Sequence, residues 1–349
     1  MHPIVDHIQP VDRHAGEVTC RYLDTLTKPP GSLGALEDLA VQLSTITGEL
    51  KPSVAPPAVT VFAADHGVAE EGVSAFPQAV TAQMVANFAS GGAAINVFAR
   101  QIGANIEVVD VGVASATEAP GVVNAKLRYG TANMVVEDAM HADQALAAID
   151  VGIAAVERAR TAGARCLIVG EMGIANTTAS SAMLAVLTGE SVASLVGAGT
   201  GINQQQLVHK VAVIERAIAA RNADSLAPLE VLAKLGGLEI AAMAGAYLAA
   251  AAHRLPAIVD GFIATVAALI ACRMCPAVRG YLIFGHRSHE PGHNIALKAL
   301  EAKPLLDMGM RLGEGSGAAL AFPLLQAATA MVAEMATFTD AGVSDNAAP

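Results

Sequence analysis

The feature that most constrains the fold of this chain is a recurring pattern of short apolar, β-branched runs, each followed by a glycine-bearing polar turn. Nearly continuous apolar strands are typical of a parallel sheet covered on both faces, and alanine-rich helical segments separate the runs. The pattern therefore predicts a doubly wound α/β fold with a mainly parallel six-stranded sheet and helices on both faces. The predicted strands are Val59–Ala63, Ile106–Val111, Cys166–Val169, Val192–Val196, Ala257–Val259 and Tyr281–Phe284.

The segment that precedes the first predicted strand is expected to be helical. Within residues 1–50, Leu36, Leu39 and Leu43 follow one another at helical spacing. The proline-rich stretch Lys51–Pro57 then separates this segment from the first strand, and it is a plausible domain boundary.

Composition narrows the class of protein. The chain is 53% hydrophobic but only 3% aromatic, which suits helices packed closely against a sheet through small side chains. A net charge of −11 without a Lys/Arg cluster argues against a nucleic-acid partner. The uncharged run Gly315–Ala333 contains Pro323 and is interpreted as a buried helix. The acidic N-terminal segment is no signal peptide, so we expect a cytoplasmic protein without a membrane span. Cys272 and Cys275 are expected to be reduced, partly buried thiols.

Polar residues recur immediately after the predicted strands. In open α/β sheets, ligands bind outside the carboxyl ends of the strands, so these residues are expected to meet at one edge of the sheet. Each of them has the alternative role of capping the helix that follows. The polar residues at this edge are Asp65, His66, Glu171, Asn176, Thr177, Thr200 and Asp260.

Two glycine-rich turns are candidate phosphate-binding loops. Gly170–Thr178 joins a predicted strand to a helix, and its exposed amides with Asn176 and Thr177 suit an anion. Gly197–Gly201 is the second turn, with Lys210 as a possible counter-charge. Either turn alone is equally well explained as a tight connection, but the two together suggest a phosphorylated small ligand.

An isolated carboxylate near the C-terminal end is the candidate acid or base. Glu314 lies in Arg311–Gly317 among three glycines, which permit close approach of a ligand. Burial in such surroundings would raise the pKa of its carboxyl and make it a usable proton acceptor. The alternative for an isolated G-E-G is a solvated turn glutamate.

Other segments leave alternatives open. Asp65 and Asp260 are placed to hold ribose hydroxyls, to bind a metal or simply to cap, and Gly72–Gln78 is either a pocket wall for a flat ring or a packing loop. His286, His289 and His293 invite a metal site, although Pro291 and Gly292 interrupt a helix there. A metal-dependent hydrolase and a non-catalytic nucleotide-binding module are the two competing classes of function.

Motifs from about residue 20 to about residue 343 together resemble one family, the nicotinate-nucleotide:dimethylbenzimidazole phosphoribosyltransferases of cobalamin nucleotide-loop assembly. The segments that carry the resemblance are Lys28–Gly34, Ala64–Val68, Glu71–Ser74, Met84–Phe88, Gly91–Asn96, Gly170–Ile174, Asn176–Thr178, Gly199–Gly201, Gly236–Ile240, Ala244–Gly245, Asp260–Phe262 and Leu306–Gly317.

The resemblance implies a reaction and an architecture. Phosphoribose would pass from nicotinate mononucleotide to 5,6-dimethylbenzimidazole, giving α-ribazole 5′-phosphate and nicotinate with inversion at C1′ and Glu314 as general base. It also implies a homodimer without a required metal or other cofactor. The chain would divide into an N-terminal helical segment at 1–50, an α/β domain at 58–300, and a catalytic loop and helix at 301–343, which completes a small helical domain with the N-terminal segment.

Site roles also follow from the resemblance. The residues expected to hold the phosphoribosyl part are Glu171, Gly173, Asn176, Thr177, Gly199, Gly201, Lys210, Asp260 and Ser288. The residues expected to line the base pocket are Ala75, Phe76, Gln83, Met172, Leu312 and Gly313. Ala175 departs from the family pattern, in which many relatives have glycine. Variation in the base pocket would allow other benzimidazoles, purines or phenolics as acceptors.

Overall fold

The sheet has the predicted architecture. The computed structural model describes residues 2–117, 119–197, 201 and 203–344, and six strands in them pair in the order β3-β2-β1-β4-β5-β6. Each neighbouring pair is parallel, as expected for a doubly wound α/β fold. The strands are β1 Pro57–Ala64, β2 Asn105–Gly112, β3 Val122–Asn124, β4 Cys166–Met172, β5 Ala257–Val259 and β6 Leu282–Phe284.

One predicted strand was wrong. Val192–Val196 was expected to be a strand, but Val192–Leu195 is a short helix. Val192, Leu195 and Val196 are buried while the two residues between them are exposed, and this spacing is helical. The sixth strand is Val122–Asn124, a three-residue edge strand that pairs with β2 and is too short and too exposed to be marked by an apolar run.

Helices connect and cover the strands. Three short 3₁₀ segments lie at Pro3–His7, Gly67–Glu71 and Pro276–Tyr281. The α-helices are α1 Arg13–Leu23, α2 Ala35–Thr47, α3 Ala79–Ala89, α4 Ala94–Gln101, α5 Ala142–Thr161, α6 Asn176–Thr188, α7 Val192–Leu195, α8 Gln204–Arg221, α9 Pro228–Leu235, α10 Leu238–Ala252, α11 Phe262–Met274, α12 Pro291–Ala299, α13 Ser316–Glu334 and α14 Phe338–Ala341.

The small side chains of the core allow unusually close packing of helices. Helix α10 contacts β1, β2 and β4, and it also packs against α5. A side chain at Gly152 of α5 would overlap the carbonyl of Ala242, and one at Gly245 of α10 would overlap the carbonyl of Ile149. The low aromatic content of the chain is therefore consistent with the close packing of α5 against α10, whose backbones are almost in contact.

Helix α13 joins the end of the chain to its beginning. It contacts α2 and α4 as well as β4 and β5. The helix is long and apolar enough to cross a membrane. However, 56% of its most apolar 18-residue stretch is buried inside the protein, as in the core helix of a globular domain. This matches the expected buried helix at Gly315–Ala333. Helices α1 and α2 also pack together, and the division into a large and a small domain stays a prediction.

Candidate active site

A cavity of about 340 Å³ opens at the carboxyl edge of the sheet. The ends of β4 and β5 contribute Glu171–Ile174, Asp260 and Gly261, and the loop before α13 contributes Arg311–Glu314. The strand order changes direction between β1 and β4, and this is where ligands bind in such sheets. The predicted location of the site is thereby matched by a cavity.

Glu314 lies in this cavity with its carboxyl largely shielded from water. Its side chain is 6% exposed, and one carboxylate oxygen accepts a 3.4 Å hydrogen bond from the amide of Ile95 at the start of α4. Burial raises the pKa of Glu314 above its usual range, the Ile95 amide lowers it, and the charge of Asp260 raises it further. Glu314 is therefore a buried carboxylate that accepts a proton more readily than a solvated one.

The backbone around Glu314 is held in an unusual conformation. Glu314 has a φ of 68°, in the left-handed region that non-glycine residues rarely adopt, and Gly315 follows with a φ of 88°. The loop lies directly on β4, because a side chain at Gly170 would overlap the carbonyl of Glu314. Such strain at a cavity wall is a feature of functional sites, since the surrounding fold must maintain it.

Asp260 caps the helix that follows Glu314. Its two carboxylate oxygens accept hydrogen bonds from the amides of Gly315 at 3.2 Å and Ala318 at 2.9 Å. Of the three roles considered for this strand-end carboxylate, capping is the one that its contacts support. It still lines the cavity, so its assignment to the phosphoribosyl group stays a prediction.

Glu171 lines the cavity next to the Glu314 loop, because the amide of Glu314 donates a 3.3 Å hydrogen bond to its backbone carbonyl. It is 6% exposed, and the side-chain amide of Asn176 donates a hydrogen bond to its Oε2. Burial raises the pKa of Glu171 to about 8, helped by the charges of Glu239, Asp260 and Glu314 and opposed by the Asn176 hydrogen bond. At neutral pH, Glu171 is therefore mainly protonated.

Lys210 supplies a positive charge beside the start of α6. Its side chain is 2% exposed, and Nζ donates a 2.9 Å hydrogen bond to the hydroxyl of Thr177, which lines the cavity. Burial lowers the pKa of Lys210 to about 8, opposed by the charge of Glu290. Together with the positive end of the α6 helix dipole, this ammonium makes the corner suitable for a phosphate.

The second predicted phosphate loop is only partly described. Gly199 and Thr200 lie outside the described residues, and Gly201 is an exposed turn residue with a φ of 119°. The segment follows α7 instead of a strand, so the strand-end argument does not apply to it. Gly197 nevertheless packs against Glu290 and Pro291 beside the cavity, and Ser288 lines the cavity as predicted.

An apolar wall completes the cavity. Phe76, Met172, Leu312 and Gly313 line the cavity, and their assignment to a base pocket stays a prediction. Ala75 and Gln83 are exposed and outside this lining, and their assignment to the pocket stays a prediction. Further lining residues were not predicted from the sequence. Two of them, Val80 and Met84, follow Phe76 at helical spacing, and this spacing could have indicated that they share a surface with it. The missed residues are Val80, Met84, Ile174, Gly261, Phe262, Ile263, Ala264, Glu290 and Arg311.

The rings of His286 and His293 lie near each other, with centroids 6.3 Å apart, but the third histidine of the suspected metal site does not join them. His289 is exposed, whereas His293 is buried with Nδ1 accepting a 2.8 Å hydrogen bond from the amide of Ser288 and Nε2 3.0 Å from the hydroxyl of Thr265. Burial lowers the pKa of His293 to about 3, so this ring is a neutral structural element. Within the described ranges, no three His, Cys, Asp or Glu side chains are grouped to hold a metal ion. These contacts do not favour the metal-dependent hydrolase.

Comparisons with known proteins agree on one family. A family model described as "Phosphoribosyltransferase" matches residues 8–343. The chain is 54% identical over 339 residues to the nicotinate-nucleotide–dimethylbenzimidazole phosphoribosyltransferase of Azotobacter vinelandii, covering 97% of this chain and 96% of that protein. It is 56% identical over 326 residues to the enzyme of the same name from Pseudomonas aeruginosa strain UCBPP-PA14, covering 93% of each.

A solved structure gives the same result. The crystal structure of CobT from Thermus thermophilus superposes with a TM-score of 0.91 at 46% identity, covering 95% of this chain and 99% of that one. The relatives are named as transferases, so a non-catalytic nucleotide-binding module is wrong as a class. With both the fold and the whole-length similarity in agreement, the chain is an enzyme that belongs to this phosphoribosyltransferase family.

Proposed function

We propose that the enzyme transfers phosphoribose from nicotinate mononucleotide to 5,6-dimethylbenzimidazole, with Glu314 as general base and inversion at C1′, in the assembly of the cobalamin lower ligand. The names of the relatives support this substrate pair. The observation that carries the mechanism is one buried carboxylate, Glu314, with a raised pKa in a cavity that also has an apolar wall and a phosphate-suited corner.

The chemistry requires a single base. A ring nitrogen of the benzimidazole attacks C1′ as the bond from C1′ to the pyridinium nitrogen breaks. The bonding electron pair neutralises the pyridinium ring charge, so nicotinate leaves without a general acid. The second benzimidazole nitrogen then loses its proton to the Glu314 carboxylate. Attack on the face opposite the leaving ring changes the β-glycoside into an α-glycoside.

The remaining groups position the two rings around C1′. The phosphate is proposed to sit by Lys210, Thr177 and the start of α6, with Glu171, Gly173, Asp260 and Ser288 around the ribose. The benzimidazole would lie against Phe76, Met172 and Leu312. Holding both reactants in one cavity makes the transfer effectively unimolecular, which is the largest contribution available without a cofactor.

The test is a product assay on the purified enzyme with nicotinate mononucleotide and a panel of bases. We expect α-ribazole 5′-phosphate from dimethylbenzimidazole, and no product from folded enzyme would refute the proposal. Glu314→Gln should lower kcat by about 10²- to 10⁴-fold while the Kd of the nucleotide changes little. Glu334→Gln, the same change at the exposed far end of α13, is the matched control.

We further propose that the enzyme acts in the cytoplasm as a homodimer. Light scattering of the purified protein should give a mass of about twice 35.4 kDa. A single-subunit mass at micromolar concentration would contradict the dimer without bearing on the chemistry.

A further inference from the structure

Two conspicuous sequence motifs have no role in the mechanism above, and the structure brings them together. Asp65-His66-Gly67 follows β1, and Gly236-Gly237-Leu238-Glu239 begins α10. The ring Nε2 of His66 lies 2.6 Å from Oε1 of Glu239. The side chains are 1% and 0% exposed, so this is a fully buried contact between an imidazole and a carboxylate.

This pair lies directly behind the turn that forms the cavity wall. A Cβ built on Gly173 would be 3.2 Å from Oε1 of Glu239 and 3.4 Å from Cδ2 of His66. On its other side, a Cβ on Gly237 would overlap the His66 ring and lie 2.6 Å from Oε2 of Glu239. The pair is therefore packed between Gly173 and Gly237, so a change in its position would displace the 172–176 turn.

The arrangement is costly for stability alone. Oε2 of Glu239 is buried without a hydrogen-bond partner among the described residues. An unsatisfied buried polar group typically costs about 1–3 kcal/mol, and more when it is charged. We therefore expect the Glu239 carboxylate, which is buried behind a wall of the cavity, to have a role in the adjacent active site.

The group that its charge affects is Glu171, two residues before Gly173. The charges of Glu239 of α10, Asp260 after β5 and Glu314 before α13 act on Glu171, and Asn176 of α6 donates to its Oε2. The pKa of Glu171 is raised to about 8. Burial makes the largest contribution to this shift, and the charge of Glu239 makes the next largest. Of the cations of the site, Lys210 donates to Thr177, and Arg311 lines the cavity.

We propose that the His66–Glu239 pair is a positioning pair for Glu171, which supports the 172–176 turn from behind Gly173 and places a buried carboxylate next to the segment that carries Glu171. With Glu171 protonated, the cavity presents one negative carboxylate fewer to its substrate. A phosphorylated, anionic donor is repelled less by such a wall than by two carboxylates. This inference rests on the proposed function only for the identity of that donor.

The direct test is the titration of Glu171, because it needs no turnover. The full-length enzyme is labelled with ¹³C at the glutamate carboxyl carbons, and the Glu171 signal is identified by its loss in Glu171→Gln. We expect a midpoint close to pH 8 in the wild type, and a midpoint lower by about one pH unit in Glu239→Gln. Glu230→Gln, at the exposed Glu230–Lys234 ion pair on α9, should leave the midpoint unchanged.

Kinetics separate the charge of Glu239 from its packing. Glu239→Asp keeps the charge but withdraws it from the turn, so the Glu171 midpoint should stay near that of the wild type while kcat/KM for the nucleotide falls about tenfold. His66→Gln keeps a donor for Glu239 and should likewise retain the midpoint. Glu239→Gln should lower kcat/KM most steeply on the alkaline side, where Glu171 ionises earlier.

Three outcomes would overturn the inference. A wild-type Glu171 midpoint below pH 6 excludes a neutral carboxyl, even if Glu239→Gln fails to fold. An unchanged midpoint in folded Glu239→Gln removes Glu239 as a cause, and equal shifts in Glu239→Gln and Glu239→Asp assign the effect to packing. Wild-type enzyme without product refutes the proposed function instead, since the titration is unaffected by it.

Discussion

The amide of Gly315 donates a 3.2 Å hydrogen bond to the carboxylate of Asp260, so the end of β5 is tied to the residue next to Glu314. The second oxygen of Asp260 accepts from Ala318 in the first turn of α13. A carboxylate from one element thus fixes the start of another, and the position of Glu314 depends on a residue more than fifty positions earlier in the chain.

Asp260→Asn is expected to weaken this anchor. An asparagine has one acceptor oxygen for two amides and turns its NH₂ group towards a donor, which should lower the free energy of unfolding by about 1–3 kcal/mol. The kcat should fall as well, because Glu314 is no longer held in place. Urea unfolding and initial rates check both effects. Asp340→Asn, in the exposed cap of α14, is the control, and equal losses in the two variants would contradict the anchor.

Gly170→Ala should displace the catalytic loop. Its methyl group would overlap the backbone carbonyl of Glu314, which cannot move aside as a side-chain end does. We expect a loss of about 10²-fold in kcat from the misplaced carboxylate. In Gly261→Ala, a methyl at the same edge of the sheet would stand 3.4 Å from the ring of His286, an ordinary contact, and the loss in kcat should be much smaller. Similar kcat values for the two variants would refute the steric argument.

Ala175→Gly is expected to stabilise the enzyme. Ala175 has a φ of 75° at the start of α6, a conformation that costs an alanine about 1–2 kcal/mol. Glycine removes that strain but loses more chain entropy on folding, so the net gain should be about 0.5–1 kcal/mol. Chemical denaturation measures it. Ala193→Gly, at an exposed position of α7 with ordinary helical geometry, should destabilise, and a destabilised Ala175→Gly would show that the strain is absent.

Binding of the nucleotide donor should weaken above pH 8. Lys210 is charged below its lowered pKa of about 8 and neutral above it, so its attraction for a phosphate disappears as the pH rises through that value. Calorimetric titrations between pH 7 and pH 9.5 should show the Kd increasing, and Lys210→Met should bind about 10- to 100-fold more weakly with little of this pH dependence. Lys298→Met, an exposed lysine of α12, serves as the control; a pH dependence retained in Lys210→Met would assign it to another group.

The activity should also fall in acid. Glu314 accepts a proton only when it is ionised, and burial raises its pKa, so kcat declines as the pH falls through a value above the ordinary 4.5. A pH–kcat profile of the wild type measures this limb. The decline of kcat at low pH should be absent from the residual activity of Glu314→Gln. If the decline persisted in this variant, a different residue would be responsible for it.

The fold was predictable where burial leaves a continuous apolar run. Strands β1 and β4 are almost entirely buried and β2 is buried over its second half, so their runs are mainly apolar and were recognised to within three residues at each end. Val192–Val196 failed because a five-residue run of buried and exposed positions fits a helix as well as a strand. Edge strand β3 carries little burial and therefore little signal.

The sequence alone determined the α/β class, the edge of the sheet at which the cavity opens, and the placement of Glu314 among glycines, because these depend on local composition and on glycine placement. Only the tertiary structure decided what stands beside them: the Ile95 amide on Glu314, Asp260 as a helix cap, and the His66–Glu239 pair behind Gly173. Burial and charge at a site are sums over residues far apart in the chain, and only the folded arrangement of the sheet and its helices brings those residues together.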